Sequence, residues 1–200
     1  MKRHVAILIF PEVEVLDFAG PFEVFAVTNE LTGFETFHTF TVAELPGSIR
    51  ARNGLKIVPD FTLETAPPPD ILVVPGGAGT RPLLRKPMVL EWIRQRARKA
   101  EVVASVCTGA LVLAQAGLLN NLRATTHHEN FAELAALAPN TDLVENARFT
   151  DNGQVLTSAG ISAGIDLSLH IVARLLGDAT AARSARYMEY HWLNDAGVTR

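Results

Sequence analysis

The amino-acid sequence predicts an α/β protein whose mostly parallel sheet is covered by helices on both faces. Three largely apolar runs, His4–Phe10, Asp70–Pro75 and Val102–Val106, lack the alternation of half-buried strands and are typical of strands buried on both faces. Helix-like segments lie between them, and strands that alternate with helices favour a parallel sheet. Since ligands bind such sheets at the carboxyl ends of the strands, we expect the functional residues there.

The first half of the chain begins with one of these strands and the segment that follows it. Glu12–Gly20 is predicted to be the loop at the carboxyl end of the first strand, and it carries Asp17. Pro21 suits the first position of a helix, which we expect over Phe22–Glu30. The next elements are a strand over Phe37–Glu44 and a hairpin of Ser48–Arg52 and Leu55–Val58 that turns at Asn53-Gly54.

The second half repeats the alternation of strands and helices. Gly76 and Gly77 follow the Asp70–Pro75 strand and form a turn at its carboxyl end. Helices are predicted over Pro87–Ala100, near Asn130–Ala138, over Ser162–Leu176 and over Ala179–Trp192, the last capped by Asp178. A second hairpin-like turn at Asn152-Gly153 joins Phe149-Thr150 to Gln154–Ser158.

Cys107, the only cysteine, lies where the central strand passes into a helix. The pattern Ser105-Val106-Cys107-Thr108-Gly109 resembles a nucleophile elbow, in which small residues let a sharp strand-to-helix turn close. Such a turn surrounds the side chain with backbone N–H groups, which would favour the thiolate. The alternative is that Cys107 is a small buried core residue, and the pattern alone leaves both interpretations open.

Length and composition restrict the classes of function. Two hundred residues predict one domain over residues 1–200, with 48% hydrophobic and 20% charged residues. A net charge of −3 offers no electrostatic attraction to nucleic acid or to an anionic membrane. A single cysteine excludes an internal disulfide and fits a reducing compartment, so we expect a cytoplasmic protein. The basic and apolar start of the chain is too short for a signal peptide.

Five stretches together resemble the DJ-1/PfpI superfamily, also called ThiJ or class I glutamine-amidotransferase-like. They extend from the first strand to the penultimate helix: VAILIFPEVEVLDFAGPFEVF, DILVVPGGAG, ASVCTGALVLAQAGLL, RATTHH and LTSAGISAGIDLSLHIV. Within that superfamily, the combination of Asp17, Gly20-Pro21, Cys107-Thr108 and the ATTH segment that ends at His127 resembles the isonitrile hydratase branch in particular. Much the same combination occurs in the ligand-sensing domain of one class of AraC-type regulators.

The resemblance implies a flavodoxin-like three-layer sandwich and a cofactor-free hydration of small isonitriles to N-substituted formamides. It implies that Cys107 is the nucleophile and that Asp17 is its acid and base, with Thr108 beside them. The expected substrate-binding residues are Gly20, Gly76, Gly77 and His127. The backbone N–H groups of Gly77 and Thr108 are candidate hydrogen-bond donors to the negatively charged oxygen of the tetrahedral intermediate. The resemblance also implies a homodimer with a small-molecule substrate.

The chemistry of the expected pair can be derived from its two side chains. A carboxylate and a thiolate at hydrogen-bonding distance repel each other, so Asp17 and Cys107 should share one proton over a wide pH range. Burial should raise the pKa of Asp17, and the helix N-terminus should lower that of Cys107. The expected resting form is therefore a thiolate beside a carboxylic acid.

Two departures from the family pattern narrow the expected function. Protease-like members place a histidine directly after the cysteine, where this chain has Thr108, so peptidase activity is not supported. Isonitrile hydratases usually have a tryptophan where this chain has His128, which changes the wall or the entrance of the pocket. His127 and His128 are adjacent, and adjacent side chains on a strand point in opposite directions, so no metal site is expected.

Several alternatives stay open at this point. Asp17 could instead cap the helix near Pro21, Thr108 could be a first-turn residue, and His127 could be a core histidine bonded to the backbone. The competing functions are a glyoxalase-like enzyme, a non-catalytic or redox-sensing protein, and a ligand-sensing domain.

Overall fold

The computed structural model describes residues 2–192 and is built around a seven-stranded sheet. The strands in chain order are β1 (Arg3–Leu8), β2 (Phe37–Ala43), β3 (Ile49–Arg50), β4 (Lys56–Ile57), β5 (Phe61–Thr62), β6 (Ile71–Val74), β7 (Val102–Val106), β8 (Arg123–Ala124), β9 (Asp142–Leu143), β10 (Phe149–Asp151) and β11 (Val155–Ser158). The helices are α1 (Val15–Leu31), α2 (Thr80–Leu83), α3 (Pro87–Ala97), α4 (Gly109–Gln115), α5 (Phe131–Leu137), α6 (Ala163–Leu176) and α7 (Asp178–Tyr187).

The main sheet is parallel except at one edge. Its strand order is β10-β11-β7-β6-β1-β2-β5, and only β10 runs antiparallel to its neighbour. Every residue of β6 and β7 is buried, as their apolar sequences predict. The short pairs β3-β4 and β8-β9 lie outside this sheet.

Helices cover both faces and complete a three-layer sandwich. On one face α1, α6 and α7 contact one another, and on the other α4 contacts α2 and α5. The end of α3 joins the second layer, because Arg94 Nε donates to the carbonyl oxygen of Ala116, 3.0 Å away. This arrangement confirms the predicted fold class. No helix within residues 2–192 combines the length and hydropathy that crossing a bilayer requires.

Helix α1 begins earlier than the sequence predicts, which changes the position of Asp17. The predicted loop Glu12–Gly20 is wrong from residue 15 onward, since α1 starts at Val15 and includes Asp17 in its first turn. Pro21 lies inside the helix and not at its start. Because proline has no N–H, the carbonyl of Asp17, four residues earlier, receives no helical hydrogen bond.

The two hairpins are confirmed, whereas the last helix differs from its prediction. β3 pairs antiparallel with β4, and β10 pairs antiparallel with β11. Helix α7 ends at Tyr187 and does not continue to Trp192. Asp178 is its first residue, and the capping position belongs to Gly177, with no side-chain cap, so the predicted Asp178 cap is wrong.

Candidate active site

Cys107 occupies a sharp turn between β7 and α4, as the predicted nucleophile elbow requires. Its backbone φ is 56°, a left-handed conformation that is uncommon for a residue with a side chain. Gly109 makes the turn possible, since a Cβ at this position would lie 2.0 Å from the carbonyl oxygen of Val74. The Cys107 side chain is almost buried, with 6% of the residue exposed.

Asp17 is fully buried and reaches the same point from α1. The backbone N–H of Gly76 donates to Asp17 Oδ2 at 3.0 Å, and the N–H of Ile161 also interacts with this carboxyl. Within residues 2–192 the other oxygen, Oδ1, has no hydrogen-bond partner. A buried carboxyl oxygen without a partner favours the protonated acid over the carboxylate.

Burial and mutual repulsion control the protonation of Asp17 and Cys107. Desolvation raises the pKa of Asp17 to about 7, although the Gly76 N–H opposes the shift. Desolvation, followed by the Asp17 charge, raises the pKa of Cys107 to about 12. The expectation of a lowered thiol pKa is therefore wrong, because burial outweighs the nearby N–H groups. Above about pH 7 the pair holds one proton, and below it the pair holds two.

Thr108 links the elbow to the glycine turn after β6. Its backbone N–H and its hydroxyl both lower the pKa of Cys107, against the larger effect of burial. The Gly77 N–H donates to Thr108 Oγ1 at 3.0 Å. Because the N–H groups of Gly76 and Gly77 already have acceptors, neither is free for an oxyanion. A Cβ at Gly76 would lie within 2.8 Å of both Asp17 Oδ2 and Thr108 Oγ1, so only glycine fits there.

The pocket beside Cys107 is small and mostly polar. Its volume is about 260 Å³. The lining side chains and backbone belong to Glu14, Arg52, Gly77, Ala78, Arg81, Cys107, Thr108, His127, Glu129, Asn130 and Ile161. Arg52 pairs with Glu14 at 3.1 Å, and Arg81 pairs with Glu133 at 2.6 Å. Sequence analysis missed these charged residues because nothing near them in the chain marks them as neighbours of Cys107.

Of the two adjacent histidines, His127 lines the pocket and His128 is exposed beside it, and they do not have the predicted arrangement. They are not on a strand, because a short 3₁₀ turn spans His128–Asn130 and His127 caps it by accepting from the Glu129 N–H at 3.3 Å. Their rings are 4.3 Å apart and do not diverge. Burial, followed by the neighbouring His128, lowers the pKa of His127. Across residues 2–192, no three His, Cys, Asp or Glu side chains form a group suited to a metal ion.

Gly20 is separate from the pocket. It lies inside α1, buried, and a Cβ there would meet Ile165 on α6 at 2.9 Å. Gly20 does not line the cavity, and its position indicates close packing of α1 on α6. Gly76 and the fully buried Asp17 do not line the cavity either, and of the expected substrate-binding residues Gly77 and His127 do.

A larger cavity opens on the other side of the glycine turn. It has a volume of about 430 Å³ and a mostly apolar lining that includes Phe10, Leu45, Ile49 and Leu83. Among the residues that the structure describes, Ala78 alone lines both cavities. The larger cavity is also lined by Ser48 and by Lys86, which pairs with Glu44, whereas the smaller one contains Cys107 on the strained elbow and Thr108 beside it. The smaller pocket is therefore the candidate active site.

Comparison with known proteins gives consistent matches over the whole fold. A family model described as the DJ-1/PfpI family matches residues 3–174. An isonitrile hydratase of Pseudomonas putida is 37% identical over 193 residues, which cover 95% of this chain and 79% of that protein. The HTH-type transcriptional regulator GbdR of Pseudomonas aeruginosa is 27% identical over 94% of this chain, which spans 51% of the regulator.

A solved structure is similar to this chain over its whole length. The crystal structure of a ThiJ/PfpI family protein from Pseudomonas syringae superposes with a TM-score of 0.85 and 30% sequence identity. The match covers 100% of this chain and 78% of that protein.

Proposed function

The chain belongs to the DJ-1/PfpI family, and from this premise we propose that it hydrates small isonitriles to N-substituted formamides, with Cys107 as the nucleophile. The observation that carries the proposal is the buried pair of Asp17 and Cys107, whose raised pKa values leave the pair with a single proton above about pH 7. An isonitrile needs both groups, because its terminal carbon must accept a nucleophile and gain a proton. The pocket volume of about 260 Å³ supports a small substrate.

The first step uses the single proton that the pair holds above about pH 7. The Cys107 sulfur forms a bond to the terminal carbon, and the proton is transferred to the same carbon through Asp17. The product is a thioimidate, R–N=CH–S, and Asp17 is left as a carboxylate. Whether the proton starts on the Cys107 sulfur or on the Asp17 carboxyl, the products of this step are the same.

Water completes the reaction in two further steps. The Asp17 carboxylate takes a proton from water while the hydroxyl oxygen bonds to the thioimidate carbon, and that proton passes to the substrate nitrogen. The carbon–sulfur bond then breaks, and the sulfur keeps the bonding electrons. The hydroxyl proton returns to the pair as the formamide forms, so the enzyme regains its one-proton state.

The residues around the pair support these steps in different ways. The Thr108 N–H and hydroxyl stabilise negative charge on the sulfur, both when it attacks and when it leaves. The Gly76 N–H fixes one oxygen of Asp17 and leaves the other for proton transfer. The Gly77 N–H fixes Thr108 and takes no direct part.

A steady-state assay with a simple alkyl isonitrile tests the proposal. We expect the protein to release the corresponding formamide, and Cys107→Ala to release none above the rate without protein. Arg3→Gln is a matched surface control, because Arg3 lies at the opposite ends of the strands in an exposed ion pair with Glu101. An unaltered isonitrile after prolonged incubation with the folded protein would contradict the proposal.

A second candidate function follows from the likeness to the regulator GbdR, which covers 94% of this chain. In that case the same pocket binds a small molecule without converting it. The assay separates the two functions, since a sensing domain would bind the isonitrile or its formamide and form no product.

A further inference from the structure

The second threonine of the ATTH segment contacts the elbow directly, and the steps proposed above give it no role. Thr126 follows β8 and is buried, and its hydroxyl donates to the carbonyl oxygen of Cys107 at 2.9 Å. The direction of this bond is fixed, because a carbonyl oxygen accepts hydrogen bonds and cannot donate them. The segment itself is tied to the sheet, since the N–H of the preceding Thr125 donates to Thr157 Oγ1 on β11 at 2.8 Å.

The left-handed conformation of Cys107 is held by hydrogen bonds at both ends of the residue. Its N–H donates to the carbonyl oxygens of Ser158 and Ala159, each at 3.2 Å, and its own carbonyl accepts from Thr126. Helix α4 contributes little to that carbonyl, because the Ala110 N–H reaches it only at 3.4 Å, beyond the usual N–H···O range. Among residues 2–192, Thr126 is therefore the closest donor to the Cys107 carbonyl.

The Cys107 carbonyl and the Thr108 N–H belong to one peptide unit. The unit is planar and trans, so its C=O and N–H point in opposite directions and turn together. The Thr108 N–H donates to no oxygen of residues 2–192, whereas the N–H groups of Gly76 and Gly77 already have acceptors. Because Thr108 lines the pocket, its N–H is left for negative charge that develops there.

We propose that Thr126 is a positioning residue, whose hydroxyl holds the Cys107 carbonyl and so fixes the direction of the Thr108 N–H in the pocket. Without that hydroxyl the buried carbonyl keeps only the long contact to Ala110, and the peptide unit can rotate toward a better donor. The Thr108 N–H would rotate with it. This inference rests on the proposed function, because the N–H acts on charge that the reaction at Cys107 creates.

Isotope labelling observes this peptide unit alone and needs no isonitrile. Because Cys107 is the only cysteine, a protein made with carbonyl-¹³C cysteine and ¹⁵N threonine contains a single ¹³C–¹⁵N peptide bond, that between Cys107 and Thr108. It gives one cross-peak in an HNCO spectrum. We expect Thr126→Val to move the ¹³C resonance upfield, as a carbonyl does when it loses a donor, and to move the Thr108 amide proton as well. Thr126→Ser keeps the hydroxyl and should leave the cross-peak close to that of the parent.

Thr125→Val is the matched control. Thr125 is the neighbouring residue and is also fully buried, but within residues 2–192 its hydroxyl has no hydrogen-bond partner. Valine there removes a buried hydroxyl from the same segment and no bond to the elbow, so we expect the cross-peak of the parent. Thr126→Ala replaces the Thr126→Val variant if that one does not fold, which circular dichroism shows.

Turnover of an alkyl isonitrile gives the second readout. We expect Thr126→Val to lower kcat about tenfold with KM within about twofold of the parent, because the N–H acts in the transition state. This is less than the roughly hundredfold loss that follows the removal of such a donor, since here it is only displaced. Thr126→Ser and Thr125→Val should keep kcat within about twofold of the parent.

The inference is overturned if the cross-peak of Thr126→Val coincides with that of the parent, if Thr125→Val moves it equally, or if Thr126→Ser fails to restore it. It is also overturned if Thr126→Val turns over at the parent kcat, or if both valine variants lower kcat equally. A parent protein that makes no formamide would contradict the proposed function, while the cross-peak would still decide whether Thr126 fixes this peptide unit.

Discussion

Asp17 and Cys107 show how burial can reverse an expectation based on local sequence. The elbow sequence predicts a thiol activated by backbone N–H groups, and the Thr108 N–H does lower its pKa. The thiol is nevertheless buried beside a carboxyl, and these two effects together raise its pKa to about 12. Three-dimensional burial is not visible in a pattern of five residues, which is why sequence analysis predicted the partners but not the protonation of the sulfur.

The pH dependence of turnover follows from the pair. Below about pH 7 Asp17 stays protonated beside a protonated thiol, and the reactive one-proton form becomes scarce. We therefore expect kcat/KM to rise about tenfold per pH unit below pH 7 and to level off above it. A pH–rate profile with an alkyl isonitrile measures this, and a constant kcat/KM from about pH 5 to pH 9 would be incompatible with the mechanism.

The same raised pKa predicts a pH-dependent cost to stability. Folding raises the pKa of Asp17 from 3.8 to about 7, so the folded state binds the proton more tightly and loses stability as pH rises through this range. Between about pH 5 and pH 8 the loss from this group is about 3 kcal/mol. Asparagine does not titrate, so the variant Asp17→Asn avoids this loss. Between these two pH values its free energy of unfolding should therefore rise, relative to that of the parent, by about the same amount. Urea unfolding of the variant and the parent at both pH values tests this prediction. If the difference between their free energies of unfolding is the same at the two pH values, the raised pKa of Asp17 is refuted.

At the scale of elements, the strands were predictable and the ends of helices were less so. Apolar runs identify β1, β6 and β7 because their residues are buried on both faces. The start of α1 was missed for a specific reason. Glu14, at its N-cap, makes no side-chain cap, while Pro21 imitates a first-turn proline.

The contact between α4 and β6 depends on Gly109. A Cβ there would lie 2.0 Å from the Val74 carbonyl oxygen, so Gly109→Ala should cost about 3 kcal/mol or more and lower the melting temperature markedly. Gly20→Ala is the comparison, since its Cβ would meet side chains alone, Ile165 at 2.9 Å and Leu16 at 3.8 Å, and no backbone atom of another element. Thermal unfolding by circular dichroism compares them, and equal melting temperatures would contradict the close-approach argument.

At the scale of the whole molecule, assembly is still a prediction. Members of this superfamily are commonly homodimers, and we expect a symmetric dimer with the active crevice near the contact. Leu16 and Ile161 are each 38% exposed, and they lie next to Asp17 and the pocket, respectively, so we expect the subunit contact to bury these two apolar side chains.

Sedimentation velocity at micromolar concentration tests the dimer, and Leu16→Glu should shift it toward monomer because burying the new charge is costly. Met88→Glu is the control, since Met88 is more exposed, at 73%, and lies on α3 in the other helical layer. A monomeric parent protein would contradict the expectation, as would equal dissociation by both variants.

The central claim is that Asp17 and Cys107 form one catalytic pair, and turnover by Asp17→Asn tests it most directly. Asparagine keeps the shape of the side chain but can neither donate the proton to the isonitrile carbon nor take one from water. We predict that formamide production falls about a hundredfold or more. Alkylation of Cys107 should become faster, because the charge that raises its pKa is gone. Asp178→Asn, at the exposed first turn of α7, should retain the parent rate. Formamide production by Asp17→Asn near the parent rate would leave Cys107 without its partner and contradict the mechanism.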